Sequence, residues 1–264
     1  MGYTVREIVD WIEEWADPSW AESYDNCGLL IGHEDQEVDT VVTALDVTEG
    51  AVDYALSVGA QMIISHHPVI FHPFKRIVDA DRDGARLLKI IEGNLAVCAA
   101  HTSMDAAMGG TNDIAAERLG LLAVRPLRPI QEEEGVGMGR IGTLPTIMTM
   151  QEFAEYVKQA FEVEHVRLVC QDPSDLVHQV ALCTGRGMSF FEEAVKQGAD
   201  VYLTGDVTYH EAEAAVSGRT GIVDAGHFAT ELPIAEAMAG YLQQQDEELK
   251  VYPYTEAEDP FRTV

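Results

Sequence analysis

The residues best suited to chemistry fall in three groups: His66 and His67 in "QMIISHHPVIF", His101 with Asp105 in "VCAAHTSMD", and His227 with Glu231 in "VDAGHFATE". Each group follows an apolar run that reads as a strand. Four imidazoles and two carboxylates make a borderline-soft N/O ligand set, better matched to Zn, Mn, Fe, Co or Ni than to Ca or Mg. Adjacent residues of an extended chain point to opposite faces, so His66 and His67 are expected to serve two neighbouring ions rather than clasp one. Asp105 and Glu231 can each give one oxygen to each ion. Six protein ligands on two ions leave positions for water, as a reactive site requires, whereas a structural site is saturated by protein. His101 has a second available role, orienting Asp105 or a water. Asp46, Asp206 and His210 are candidates for proton transfer or for orienting the ligands. His33, His72, His165 and His178 lack carboxylate company and read as surface or packing residues.

Other chemistries fit less well. Ser65 precedes a histidine but lacks a G-x-S-x-G elbow. "CTGRGMS" resembles a phosphate-binding loop, yet it lacks both the Walker Lys-Ser/Thr pair and a complete G-x-G-x-x-G. Gly185 and Gly187 are better explained as letting a strand-to-helix turn approach the site closely.

The groups need a scaffold that places strand ends together. "TVREIVDWIEEWA" has apolar residues at helical spacing, with Thr4 and Glu7 as a capping box. "TVVTALDVT" reads as a strand, "EGAVDYALSVGA" as a helix closed by Gly59, and "QMIIS" as a second strand. A helix over "GARLLKIIEGN", the strand "LAVCAAH" and a helix over "GTNDIAAERLG" continue the alternation, which implies an α/β fold with buried strands. Residues 125–145 read as a connector, and "QQQDEELKVYPYTEAEDPFRTV" as a helix end followed by a solvated tail.

An internal repeat organises the rest. "VVTALDVTEGAVDYALSVGA" aligns without gaps to "VALCTGRGMSFFEEAVKQGA", "QMIISHH" to "DVYLTGD", and "VCAAHTSMD" to "VDAGHFATE". Asp206 then takes the place of His67, His227 that of His101, and Glu231 that of Asp105. The expected organisation is a first α/β repeat over 1–124, a connector with a small α/β segment over 125–178, and a second repeat over 179–264. Two such halves facing each other bring strand ends together, where α/β proteins bind ligands.

Composition narrows the partners. Forty-five acidic residues against 17 basic ones give 264 residues a formal net charge of −28. Such a surface repels phosphate backbones, so neither nucleic acid nor an anionic membrane is an expected partner. The excess acid reads as a solubility or salt-adaptation feature. The four cysteines form no C-x-x-C pair and no apolar run reaches the roughly 18 residues of a membrane span, so a cytoplasmic location is expected.

"YDNCGLLIG", "TALDVT", "GAQMIISHHPVIF", "AAHTSMDAA", "GADVYLTGDVTYH" and "DAGHFATE" together resemble the Nif-three-like family, whose bacterial members are often named GTP cyclohydrolase I type 2 homologues. The resemblance spans nearly the whole chain and matches the short form without an inserted middle domain. It implies two intertwined α/β repeats, a dinuclear metal site and a toroidal homohexamer. The family's ligands fall on His66, His67, Asp105, His227 and Glu231, with His101 beside them. Arg186 interrupts a loop that is plainer in relatives, so substrate contacts there are not carried over. Two functions are expected to compete. One is a metal-dependent hydrolase acting on a nucleotide-like or phosphorylated small molecule through a metal-activated water. The other is a non-catalytic metal-binding scaffold, carrier or regulatory protein.

Overall fold

The structure is a computed structural model describing residues 2–130 and 134–263. Residues 131–133 of the expected connector, together with Met1 and Val264, lie outside the described residues. The chain begins β1 (Tyr3–Thr4), α1 (Val5–Trp15), β2 (Gly28–Ile31), β3 (Glu37–Val38), β4 (Thr40–Ala44), α2 (Glu49–Ser57), β5 (Met62–Ser65), α3 (Arg82–Glu92), β6 (Ala96–Ala99), α4 (Thr102–Ala106) and α5 (Thr111–Arg118). It continues β7 (Leu122–Pro129), β8 (Gly137–Thr149), α6 (Met150–Ala160), β9 (Arg167–Val169) and β10 (Leu176–Leu182). It then runs α7 (Phe191–Lys196), β11 (Val201–Thr204), α8 (Tyr209–Ala215), β12 (Gly221–Asp224), α9 (His227–Glu231), α10 (Ile234–Gln245) and β13 (Lys250–Pro253). The fold is mixed α/β, as expected. Two compact units form: Met1–Met104 with Ile234–Glu258, and Asp105–Pro233 with Asp259–Val264.

The first unit is built on a five-stranded sheet in the order β13-β4-β5-β6-β2. Strands β13, β4, β5 and β6 are parallel, and β2 closes one edge antiparallel to β6. Every residue of β4, β5 and β6 is buried, which is why they read as apolar runs rather than alternating strands. Val42, Ile63 and Val97 pack with Leu87 and Ile90 of α3 in one apolar cluster. Thr4 and Glu7 form the expected capping box of α1.

The second unit carries a six-stranded sheet in the order β7-β8-β10-β11-β12-β9. Strands β10, β11 and β12 are parallel, while β8 is antiparallel to both β7 and β10 and β9 is antiparallel to β12. Phe153 and Val157 of α6, held by the Thr149 and Glu152 capping box, pack with Val180, Leu203 and Val223.

Two expectations are corrected here. Residues 125–145 are not a bare connector: β7 and β8 pair as an antiparallel ladder. Pro126 and Pro129 lie in β7, an edge strand, where a missing backbone donor costs no ladder bond. Gly139 has φ +63°, and a Cβ there would stand 2.7 Å from the Leu182 carbonyl, so the glycine marks close strand approach rather than a loop. The acidic end is not simply a tail either. Lys250–Pro253 adds β13 beside β4, burying Val251, and Tyr254 is buried just beyond it. Four residues with a single buried valine give too short an alternation to stand out among acids.

Candidate metal centre

In the first unit three loops at strand ends carry the imidazoles. Beyond β4 comes Asp46, beyond β5 come His66 and His67, and beyond β6 comes His101. The alternation expected of extended chain does not hold at the histidine pair. Strand β5 ends at Ser65, and residues 66 and 67 sit in a bend fixed by Ser65 Oγ donating to the His67 carbonyl at 2.8 Å. The ring centroids of His66 and His67 are 5.1 Å apart, and His101 lies 5.2 and 5.5 Å from them. One ligand atom from each of the three lies within 4.8 Å of the others.

Each ring is held by its Nδ1. His66 Nδ1 meets the Ala100 carbonyl at 2.9 Å, His67 Nδ1 meets Asp46 Oδ1 at 2.8 Å, and His101 Nδ1 meets Asp25 Oδ1 at 2.8 Å. A carbonyl can only accept, so His66 carries its proton on Nδ1 and presents the Nε2 lone pair. This is how metal-binding histidines are commonly oriented. The set of donors therefore fits a divalent transition metal.

The second unit gathers the carboxylates. Asp105 and Glu231 are both buried, and an oxygen of each lies within 4.8 Å of the other. Glu231 Oε2 is 2.9 Å from His227 Nε2, one turn back on α9, and His227 Nδ1 is 2.8 Å from Asp206 Oδ2. Thr111 Oγ1 donates to Asp105 Oδ1, and Asn112 Nδ2 to the Asp105 carbonyl. The buried Arg140 guanidinium joins Asp113 to the Ala107 carbonyl, pinning the turn that follows α4 and Asp105.

Backbone shape matters as much as side chains in this cluster. Gly185 has φ +60°, and a Cβ there would stand 2.0 Å from Glu231 Oε1 and 3.1 Å from His227 Nε2. Asp206 sits at φ +55°, a left-handed conformation that Asp tolerates better than most residues. Buried Asp224 supports both flanks, accepting from Val207 N and Gly226 N at 2.9 Å each and pairing with Arg167. The phosphate-loop alternative is spent in this fold. The amides of Thr184, Gly185 and Gly187 donate to Asn112, Thr230 and Thr204 respectively. Cys183 is buried, and the carboxylates of Asp105 and Glu231 add to burial in pushing its thiol well above the ordinary range. It behaves as a neutral apolar residue.

The other candidates divide. Asp46 and Asp206 each hold a histidine. His210 lies exposed on α8 with its ring against Tyr209, and it joins neither cluster. His33, His72, His165 and His178 are exposed. Sequence reasoning missed Asp25, Thr111, Asn112 and Asp224. Only Asp25 carried a signal, its place in "YDNCGLLIG"; its partner His101 is 76 residues away.

The Duf34/NIF3 (NGG1p interacting factor 3) family profile matches residues 3–260. The chain belongs to the Duf34/NIF3 family. A relative from Clostridium acetobutylicum named "GTP cyclohydrolase 1 type 2 homolog" is 34% identical over 247 residues, covering 92% of this chain and 91% of its own. Among solved structures, a Bacillus cereus protein related to NIF3 superposes with a TM-score of 0.95 at 28% identity, over the whole of both chains. A hypothetical protein of Staphylococcus aureus superposes with a TM-score of 0.92 at 26% identity, again over all of both chains. Among the described residues of this Duf34/NIF3 member, no helix is long and apolar enough to cross a membrane.

Proposed function

We propose that the chain is a metal-dependent hydrolase in which the imidazole cluster and the carboxylate cluster serve one dinuclear centre of Zn, Mn, Fe, Co or Ni. The observation that carries this reading is that His66, His67 and His101 are each anchored through Nδ1 while their ligand atoms converge. Duplication supports the shared site. Val41 pairs with Met62 and Val180 with Val201, so both strands of this ladder shift by 139 residues between the copies. The third strand slips by one residue from that alignment, since Met62 pairs with Ala96 but Val201 with Gly221.

When bound, the two cations would make a water acidic enough to supply hydroxide near neutral pH and would stabilise a developing oxyanion. The chain's own residues do the rest. Asp105 and Glu231 are buried carboxylates and hold their charge only beside cations or donors, which suits them to ligation. Asp206 engages His227 through Oδ2, so a proton can be taken up on Oδ1 at the half-exposed side of the residue. The name of the Clostridium relative points to a nucleotide-like substrate, and a phosphorylated small molecule shares the same chemistry. A cytoplasmic homohexamer completes the proposal.

The test is a turnover screen of purified, metal-loaded protein against nucleotides, phosphoesters and cyclic amides. Hydrolysis that disappears in Glu231→Gln, with fold and oligomer retained, is the expected result. Metal uptake without turnover anywhere in the panel would contradict the hydrolase reading and leave a metal-binding scaffold.

A further inference from the structure

The segment before β2 holds a carboxylate with more donors than any ligand needs. Asp25 has a side chain only 1% exposed. Its Oδ1 accepts from Asn26 N at 2.7 Å and faces His101 Nδ1 at 2.8 Å. Its Oδ2 accepts from Thr102 N at 2.9 Å, from Thr102 Oγ1, and from Cys27 Sγ at 3.2 Å. The Thr102 hydroxyl donates to this oxygen and itself accepts from Glu22 N at 2.9 Å. Asn26 Nδ2 extends the same segment to the Ile70 carbonyl, beyond the histidine pair.

These contacts settle the direction of the Asp25–His101 bond. Every other partner of the carboxylate is a donor, so Asp25 accepts throughout and His101 Nδ1 must carry the hydrogen. A neutral imidazole with its proton on Nδ1 has its lone pair on Nε2. We propose that Asp25 is a positioning residue: it locks His101 in the Nδ1–H tautomer, so that Nε2 is the atom His101 offers beside His66 and His67. This makes His101 a ligand of the imidazole cluster rather than a group that orients Asp105. The inference rests on the metal-centre reading, and it extends that reading from the ligands to the residue that sets one of them.

An amide does the same job only with its oxygen toward His101, which sets its NH2 against the Thr102 N–H. In Asp25→Asn the NH2 group faces either the Thr102 N–H or the Asn26 N–H. In the second case the imidazole must accept at Nδ1, which moves its proton to Nε2. The test is nitrogen-resolved histidine NMR on metal-free, full-length protein, with His101 assigned by its loss in His101→Gln, followed by cobalt(II) titration. The expected result is Nδ1–H for His101 in the wild type, a smaller Nδ1–H population in Asp25→Asn, and cobalt affinity lowered by roughly 10–100-fold in the variant. Wild-type His101 protonated on Nε2 would overturn the proposal, and so would a folded Asp25→Asn with unchanged cobalt affinity. Thr102→Val provides the control, because it removes a buried hydroxyl but keeps the carboxylate–imidazole pair. It should leave tautomer and cobalt affinity as they were, and an equal loss in Thr102→Val would reduce Asp25 to a purely structural role. The wild-type tautomer decides the proposal even if Asp25→Asn does not fold. Correct tautomers in a protein that takes up no metal would instead sink the metal-centre reading.

Discussion

The two clusters are fixed by different means. In the first unit, three imidazoles are each aimed by an acceptor on Nδ1: a carbonyl for His66, and carboxylates for His67 and His101. In the second, backbone shape adds to such hydrogen bonds: a glycine with φ +60° leaves room for Glu231, and an aspartate with φ +55° reaches His227 Nδ1. Imidazoles need orientation because only one ring nitrogen can ligate at a time. Carboxylates, with two oxygens, tolerate rotation but need room. The first cluster should therefore be sensitive to loss of a hydrogen-bond acceptor, and the second to any added volume.

The largest expected effect tests the second half of that contrast. Gly185→Ala places a methyl group where Glu231 Oε1 now lies, and it forces a left-handed backbone onto a residue with a Cβ. Metal retained after dialysis, measured by elemental analysis, should fall by at least the roughly 100-fold affinity loss seen when outer ligand support is removed. Stability should drop by about 1–3 kcal/mol.

Asp206→Gly separates orientation from strain. It removes the carboxylate on His227 Nδ1 while relieving the left-handed conformation. Metal affinity should fall by roughly 10–100-fold, yet the thermal midpoint of the metal-free protein should hold or rise. A fall in both would show that the backbone conformation was not strained.

Acidification should sharpen the difference between the units. Burial raises the Asp25 carboxyl, but hydrogen bonds from His101 and Thr102 outweigh it and hold the group well below the ordinary range. A depressed native pKa contributes its full stability above the unfolded value of about 3.9 and loses it as pH falls through that value toward the native one. Metal-free wild type should thus lose stability over this acid window more steeply than Asp25→Asn, as followed by thermal melts at stepped pH.

The smallest effect is a control. Thr208 caps α8 through a capping box with Glu211 and touches neither cluster. Thr208→Ala should cost about 1 kcal/mol in denaturant unfolding and leave metal content unchanged.

Much of this was legible in the sequence, and the limits are physical. Buried parallel strands leave continuous apolar runs, so β4, β5, β6, β11 and β12 announced themselves, and the polar residues just beyond them marked the site. The capping box at Thr4 was equally plain, since both partners lie within one turn. The β7–β8 ladder was hidden because prolines on an edge strand and glycines at close approaches look like loop chemistry. Asp25 was missed because its importance lies in a contact to His101 that only the folded chain makes. The bend at His66 and His67 escaped for a similar reason: a single serine hydroxyl ends the strand one residue before the pair.

The most direct test of the central claim is anomalous diffraction at the metal edge from crystals of metal-loaded protein, with elemental analysis of the same sample. The account predicts two metal peaks per chain, with ligands drawn from both the imidazole cluster and the carboxylate cluster. A single peak held by one cluster alone, or no peak within reach of His67 and Glu231 together, would contradict it.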